Sequence, residues 1–286
     1  MDYSKTLTNN NKILCETREH RYQIQCTDDF TLKFALSGNE VYRLGRRELS
    51  IYPDSFLILN KGTQYTSKID SQTPVEVFSI AYDQNFLNDF NNAYANTDSS
   101  LLDNPVALQT DFNETIYPFK GDMKFNITHL KNNIERGLQD ELLINEYLHH
   151  SLINYHRIYQ SEIFNKSEKL AFTNKKTRVE IMRRLNSAKE YMYTNYNKNV
   201  LLEDLAQHSC LSVNHLLRTF KQAFNSSPHQ FLTQLRLQRA QLLLRGTEYS
   251  INDIVCMVGF ECPSSFIRLF KNKYKTTPMK FRKLAA

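Results

Sequence analysis

One structural unit is written twice in the final third of the chain, and a chain that repeats a helix-turn-helix at close spacing has few folds open to it. The first copy reads Leu202-Glu-Asp-Leu-Ala206, Cys210-Leu-Ser212, Leu216-Leu-Arg218-Thr-Phe220-Lys221 and Phe224-Asn-Ser-Ser-Pro228. The second reads Ile251-Asn-Asp-Ile-Val255, Gly259-Phe-Glu261, Phe266-Ile-Arg268-Leu-Phe270-Lys271 and Tyr274-Lys-Thr-Thr-Pro278. Matched positions lie 49 residues apart before the turn and 50 after it, so the second copy carries one extra residue between its helices. A short amphipathic helix, a small-residue turn and a second helix with an outward Arg describe a helix-turn-helix, whose second helix enters the DNA major groove.

The helical period sorts each second helix into two faces. In the first copy Ser212 is placed as an N-cap, and Leu216, Phe220, Ala223 and Phe224 form the inward face. That leaves Asn214, Leu217 and Arg218 to read bases. Asn can bridge adenine N6 and N7, Arg can bridge guanine O6 and N7, and Leu can touch a thymine methyl. In the second copy Pro263 suits the first helical position, Phe266, Phe270 and Tyr274 point inward, and Ser264, Ile267 and Arg268 are the expected base readers. Ser212, Lys221, Arg236, Arg239 and Lys271 are expected at phosphates. Between the copies, residues 228–245 read as one long helix, apolar on so many sides that it should pack between two lobes, with Gly246 as its C-cap.

Charge divides along the same line. Residues 175–286 hold 19 Lys+Arg against 7 Asp+Glu, a net +12, which leaves −6 for the rest of the chain's +6 total. A basic tail domain on an acidic body suits a polyanion bound by the tail alone. The five cysteines form no CxxC pair, which argues against a disulfide framework or structural zinc and for a reduced compartment. The polar N-terminus and the lack of an ~18-residue apolar run predict a cytoplasmic protein with no membrane segment.

The first half has a different texture. Short strands are expected at 22–24, 31–36, 41–44, 56–59, 64–66 and 75–81, separated by turns at Ser37-Gly38-Asn39, Tyr52-Pro53-Asp54 and Asn60-Lys-Gly62. A helix should follow over 83–95 and more strands within 106–117. From Asp122 onward the pattern is helical. In 139–159, Leu142, Leu143, Tyr147, Leu148, Leu152 and Tyr155 share a broad face suited either to dimerisation or to packing on the chain's own barrel. The fold class is therefore α+β in two domains: a small β-barrel or sandwich with adjoining helices, then an all-α domain of two helix-turn-helix units joined by a long helix.

A metal enzyme would need clustered His on adjoining barrel strands, but of eight histidines only His20 precedes His129. Glu146-Tyr-Leu-His149 has diiron-helix spacing without a second copy, and no GxGxxG, Walker A or GxSxG motif occurs. Neither an enzyme nor a cofactor is expected.

The C-terminal region, roughly 180–286, closely resembles the DNA-binding domain of the AraC/XylS family of bacterial transcription regulators. The residues that carry the resemblance are Leu205-Ala206, Ser212, Leu216, Arg218, Phe220-Lys221, Pro228, Arg236-Leu237, Ala240, Gly259-Phe260, Ser264, Phe266, Arg268, Phe270-Lys271, Tyr274, Pro278 and Phe281-Arg282. The resemblance implies promoter DNA and RNA polymerase as partners, an N-terminal cupin-like barrel that binds a small-molecule effector, and homodimerisation through adjoining helices. It suggests boundaries of 1–120 for the effector domain, 121–160 for a dimerisation or packing segment, 161–176 for a linker and 177–286 for the DNA-binding domain. Arg21, Arg43, Tyr52, Tyr65 and Phe78 are the candidate effector contacts, and transcription activation is the expected output. Cys262 departs from the family's Asp or Ser cap, and a thiol at a helix N-terminus is expected to have a lowered pKa.

Overall fold

The computed structural model describes residues 2–18, 22–27, 29–71, 74–96 and 112–285. Contacts divide the chain into two units, Met1–Phe164 and Asn165–Ala286. The first is sheet-rich and the second is helical, an α+β architecture.

In the first unit the strands are β1 (Tyr3–Thr6), β2 (Lys12–Arg18), β3 (Tyr22–Thr27), β4 (Phe30–Ala35), β5 (Glu40–Leu44), β6 (Arg47–Ile51), β7 (Ser55–Leu59), β8 (Gln64–Ile69), β9 (Val75–Tyr82) and β10 (Ile116–Pro118). They make two antiparallel sheets ordered β1-β2-β9-β4-β7-β10 and β3-β8-β5-β6. β1, β2 and β6 were not foreseen from the sequence. Of the strands expected within 106–117, residues up to 111 lie outside the described ones and Ile116–Pro118 is present.

Register decides which residues meet the helices. Cys15 and Phe34 both pair with Phe78, Ile13 and Leu32 both pair with Ile80, and Phe34 also pairs with Phe56, so one face of the larger sheet is continuously apolar. Helices α2 (Gly121–Glu135) and α3 (Glu141–Tyr159) lay Met123, Ile127, Leu130, Ile144, Leu148, Leu152 and Tyr155 into this core. Each such large side chain contributes about 1.5–3 kcal/mol on burial. Asp140 starts α3 by accepting the Leu142 amide at 2.9 Å. Leu148, Leu152 and Tyr155 thus pack on the chain's own sheet, while Leu142 stays 82 % exposed.

Helix α1 (Gln84–Asn96) meets α3 through rings. His156 stacks on Phe90 and Tyr94 at 5.6 and 4.8 Å, and His149 packs on Phe86 at 4.9 Å. Burial depresses the His156 pKa from 6.5 to about 4. Between those values the unfolded chain takes up a proton that the fold refuses, so stability is fully present above pH 6.5 and falls as the pH drops towards 4. Denaturant titrations should show His156 costing the first unit about 2 kcal/mol between pH 7 and 5. His156→Phe should remove that part of the slope, and an unchanged slope would contradict the assignment.

The second unit holds α4 (Lys175–Asn195), α5 (Leu202–His208), α6 (Val213–Phe224), α7 (Pro228–Gly246), α8 (Ile251–Met257), α9 (Pro263–Tyr274) and α10 (Pro278–Ala285). There are two small cores. Leu185, Met192, Leu205, Leu216 and Phe220 build the first, and Ile254, Val255, Val258, Phe266 and Phe270 build the second. Helix α7 serves both, giving Leu232 and Leu235 to the first and Leu237, Ala240 and Leu244 to the second. Its apolar character on several sides follows from that double duty. Gly246 is not the cap: the helix runs through it and ends at Thr247, whose amide bonds Leu243 O at 3.1 Å. Within 161–176, Gln160–Asn165 forms a π-helical turn, and Leu170 is buried in the first core.

Candidate DNA-binding face

The two copies fold alike in their turns. Cys210 and Gly259 both take left-handed backbone, with φ of 51° and 81°. The next amides, Leu211 and Phe260, each bond back at 3.0 Å to Ala206 O and Val255 O. Arg184 of α4 braces the first turn by donating to Cys210 O at 3.2 Å. Helices α6 and α9 both end on left-handed residues, Asn225 and Lys275, whose amides bond Lys221 O and Lys271 O. The sequence repeat is thus a repeat of backbone geometry.

The entries differ. Ser212 Oγ accepts the His215 amide at 3.3 Å and caps α6. Cys262 makes no capping hydrogen bond at α9. The amides of Ser265 and Ser264 nevertheless draw its exposed thiol below the usual pKa.

Behind each presented helix lies an aromatic stack. Phe220 sits 4.5 Å from Phe224 and 5.6 Å from Phe231, and Phe270 sits 4.5 Å from Tyr274 and 5.6 Å from Phe281. Opposite these stacks, Asn214, Arg218 and Lys221 are exposed on α6, with Leu217 half-buried beside them. On α9, Ser264, Arg268 and Lys271 are exposed, and Ile267 is 40 % exposed. An apolar side chain that open, between Ser264 and Arg268, is available to a thymine methyl.

Two of the expected phosphate ligands are elsewhere. Arg239 is 2 % exposed, with its guanidinium 5.4 Å from the Tyr193 ring and 5.9 Å from that of Tyr196. Arg236 spends its donors on Tyr196 O and Lys198 O at 2.7 and 2.8 Å. Both lie on α7 facing α4 and the loop after it, where a guanidinium satisfies backbone carbonyls and aromatic faces rather than a ligand. Helical spacing in a basic domain does not distinguish the two uses.

The expected effector contacts scatter as well. Arg21 lies outside the described residues. Arg43 points away from the space between the sheets and pairs with Glu48 at 3.4 Å, and Phe78 faces α2 in the helix-side core. Tyr52 is half-buried in the turn before β7, its amide donating to Ser55 Oγ at 3.0 Å. Of the four described residues only Tyr65 lines the sandwich interior, 5.6 Å from Tyr42. There it neighbours a group the sequence reading missed. Glu40, 7 % exposed, accepts Tyr42 Oη at 2.5 Å and the Ser67 hydroxyl, and Lys33 Nζ lies 5.4 Å from the Tyr65 ring. Burial raises the Glu40 pKa, opposed by the Ser67 and Tyr42 hydrogen bonds. The signal was present as a Glu sharing alternation with Tyr42 and Leu44 on one strand face.

Among the described residues no group of three or more His, Cys, Asp or Glu is placed to hold a metal, and no helix is long and apolar enough to cross a membrane.

Residues 205–284 match the family model described as a helix-turn-helix domain. The raffinose operon transcriptional regulatory protein RafR of Pediococcus pentosaceus is 23 % identical over 257 residues, 90 % of this chain and 85 % of that protein. The lactose operon transcription activator of Staphylococcus xylosus is 27 % identical over 157 residues, and the chain spans about half of its length, 52 %. A solved transcriptional regulator of AraC-type DNA-binding architecture from Chromobacterium violaceum is 31 % identical, with a TM-score of 0.35, over 36 % of this chain and 92 % of that one.

Proposed function

We propose that this chain, whose residues 205–284 match an AraC-type helix-turn-helix domain, is a transcription regulator that reads one promoter duplex with both α6 and α9 under control of a small molecule held between its two sheets. The observation that carries the DNA half of this reading is the matched outward set, Asn214, Arg218 and Lys221 on α6 against Ser264, Arg268 and Lys271 on α9, each behind its own aromatic core. Asn214, Leu217, Arg218, Ser264, Ile267 and Arg268 are assigned to bases, and Ser212, Lys221 and Lys271 to phosphates.

The effector half rests on chemistry inside the sandwich. Glu40, Tyr42, Ser67 and Tyr65 combine a carboxylate, hydroxyls and ring faces, which suits a polyhydroxylated ligand. Two similar proteins are regulators of raffinose and lactose operons, and we assign the effector to the saccharides. Ligand binding acts by favouring one presentation of the DNA-binding unit over another. Exposed Phe125 and Leu142 on α2 and α3 supply apolar surface for a homodimer, and activation through RNA polymerase is the output.

Occupancy of promoters in cells grown with and without raffinose- or lactose-type sugars tests both halves, together with salt titrations on the promoters found. Selective sites should appear, their affinity should fall steeply with salt at a log–log slope of about −0.9 per phosphate contacted, and one sugar should shift occupancy. Absence of selective binding at low salt would refute the DNA reading, and indifference to every sugar would refute the effector class alone.

A further inference from the structure

The loop that follows α4, residues 196–198, is gripped from the far half of the second unit. Arg236 of α7 reaches it with a fork, Nε to Tyr196 O at 2.7 Å and the second guanidinium nitrogen to Lys198 O at 2.8 Å. Its guanidinium carbon also stands 5.9 Å from the Phe260 ring, in the turn of the second helix-turn-helix. Burial lowers the Arg236 pKa and Glu261, next to that turn, opposes the shift.

The same loop meets the second turn directly. A Cβ at Gly259 would fall 2.9 Å from Tyr196 O and from Asn197 C and O, closer than real Cβ atoms approach backbone. With φ at 81°, Gly259 is therefore constrained twice, by its own backbone and by the loop pressed against it. At the matched place in the first copy stands Cys210, exposed and also left-handed, so the turn alone does not demand glycine. The Tyr196 side chain packs against both cores.

These contacts form a joint between the two halves of the domain, made of backbone and a two-point guanidinium clamp. We propose that this joint, Tyr196–Lys198 with Arg236 and Gly259, fixes the separation and angle of α6 and α9, so that Arg236 is a positioning residue that selects the spacing between two half-elements in DNA. The proposal rests on the reading that both helices engage one duplex. B-DNA turns once in about 10–10.5 base pairs, so a single inserted pair carries the second half-element about a tenth of a turn around the axis and about 3.4 Å along it. A rigid joint cannot follow that displacement, and a loosened joint can.

The test uses the full chain and an operator defined by footprinting, compared with versions carrying one base pair more or less between the half-elements and with each half-element alone in random flanks. The wild-type protein should prefer the native spacing by roughly tenfold or more, the worth of a misplaced base contact. Arg236→Ala should lose most of that preference while binding single half-elements as the wild type does. Arg236→Lys keeps the charge without the fork and should behave like the alanine variant, which keeps the test open if Arg236→Ala fails to fold. Gln238→Ala, exposed on the same helix, should change nothing. Retained spacing preference, with an equal loss on every probe and a salt slope smaller by about one, would identify Arg236 as a phosphate contact and overturn the proposal. A wild-type protein that binds single half-elements as tightly as the full operator would instead remove the premise that two heads read one duplex.

Discussion

Replacing Phe270 by alanine should destabilise the second unit by about 3–5 kcal/mol, as deletion of a buried aromatic side chain commonly does. Phe270 is fully buried, and its ring stands 5.5 Å from Phe266, 4.5 Å from Tyr274 and 5.6 Å from Phe281. Neighbours on its own helix and on α10 hold the site open, so the cavity has little room to collapse, and the upper part of that range is expected. Phe220→Ala removes the matched ring of the first core and should cost a similar amount. Phe270→Leu, which refills most of the volume, should cost far less. Thermal or denaturant melting reads all three. A loss below ~1 kcal/mol for Phe270→Ala would mean that the ring is not the keystone its contacts suggest.

Arg218→Ala and Arg268→Ala should leave stability unchanged, because both side chains are exposed, and should weaken binding to the cognate operator by about 1–3 kcal/mol each, roughly 5- to 150-fold. Little change is expected on random DNA. The larger loss is expected at Arg218, whose helix is capped by Ser212, whereas α9 begins at a Cys262 that caps nothing. Lys221→Ala provides the contrast: uniform weakening on all sequences, with a salt slope reduced by about one. Equal losses on cognate and random DNA would move the two arginines from bases to phosphates.

The helical half was largely legible in the sequence because its signals are local. The buried period of Leu216, Phe220 and Ala223, the Ser212 cap and Pro263 at the first helical position are each decided within a few residues, and the repeat supplied the rest. What failed there was non-local. Arg236 and Arg239 sit in a basic domain at helical spacing from real surface residues, and only the fold reveals that carbonyls of the loop at 196–198 and the rings of Tyr193 and Tyr196 occupy them. In the two sheets the difficulty is sidedness. A strand's alternation shows that Glu40 and Tyr42 share a face, and that Arg43 takes the other, but not which face the second sheet covers. The same holds for Phe78: β9 buries Phe78, Ile80 and Tyr82 on one face and half-buries Val77, Ser79 and Ala81 on the other, and the alternation alone does not say that the buried face meets the helices. β2 hid because its buried residues, Ile13 and Cys15, are flanked by charge.

Tyr196 belongs to two cores at once, and that has a consequence for how the domain is lost. A side chain whose burial depends on both lobes passes the melting of one on to the other, so the domain should open as a single cooperative unit despite its duplicated design. A truncation after α6 would then yield no half-reader: the two copies are inherited as repeats but stand or fall as one fold.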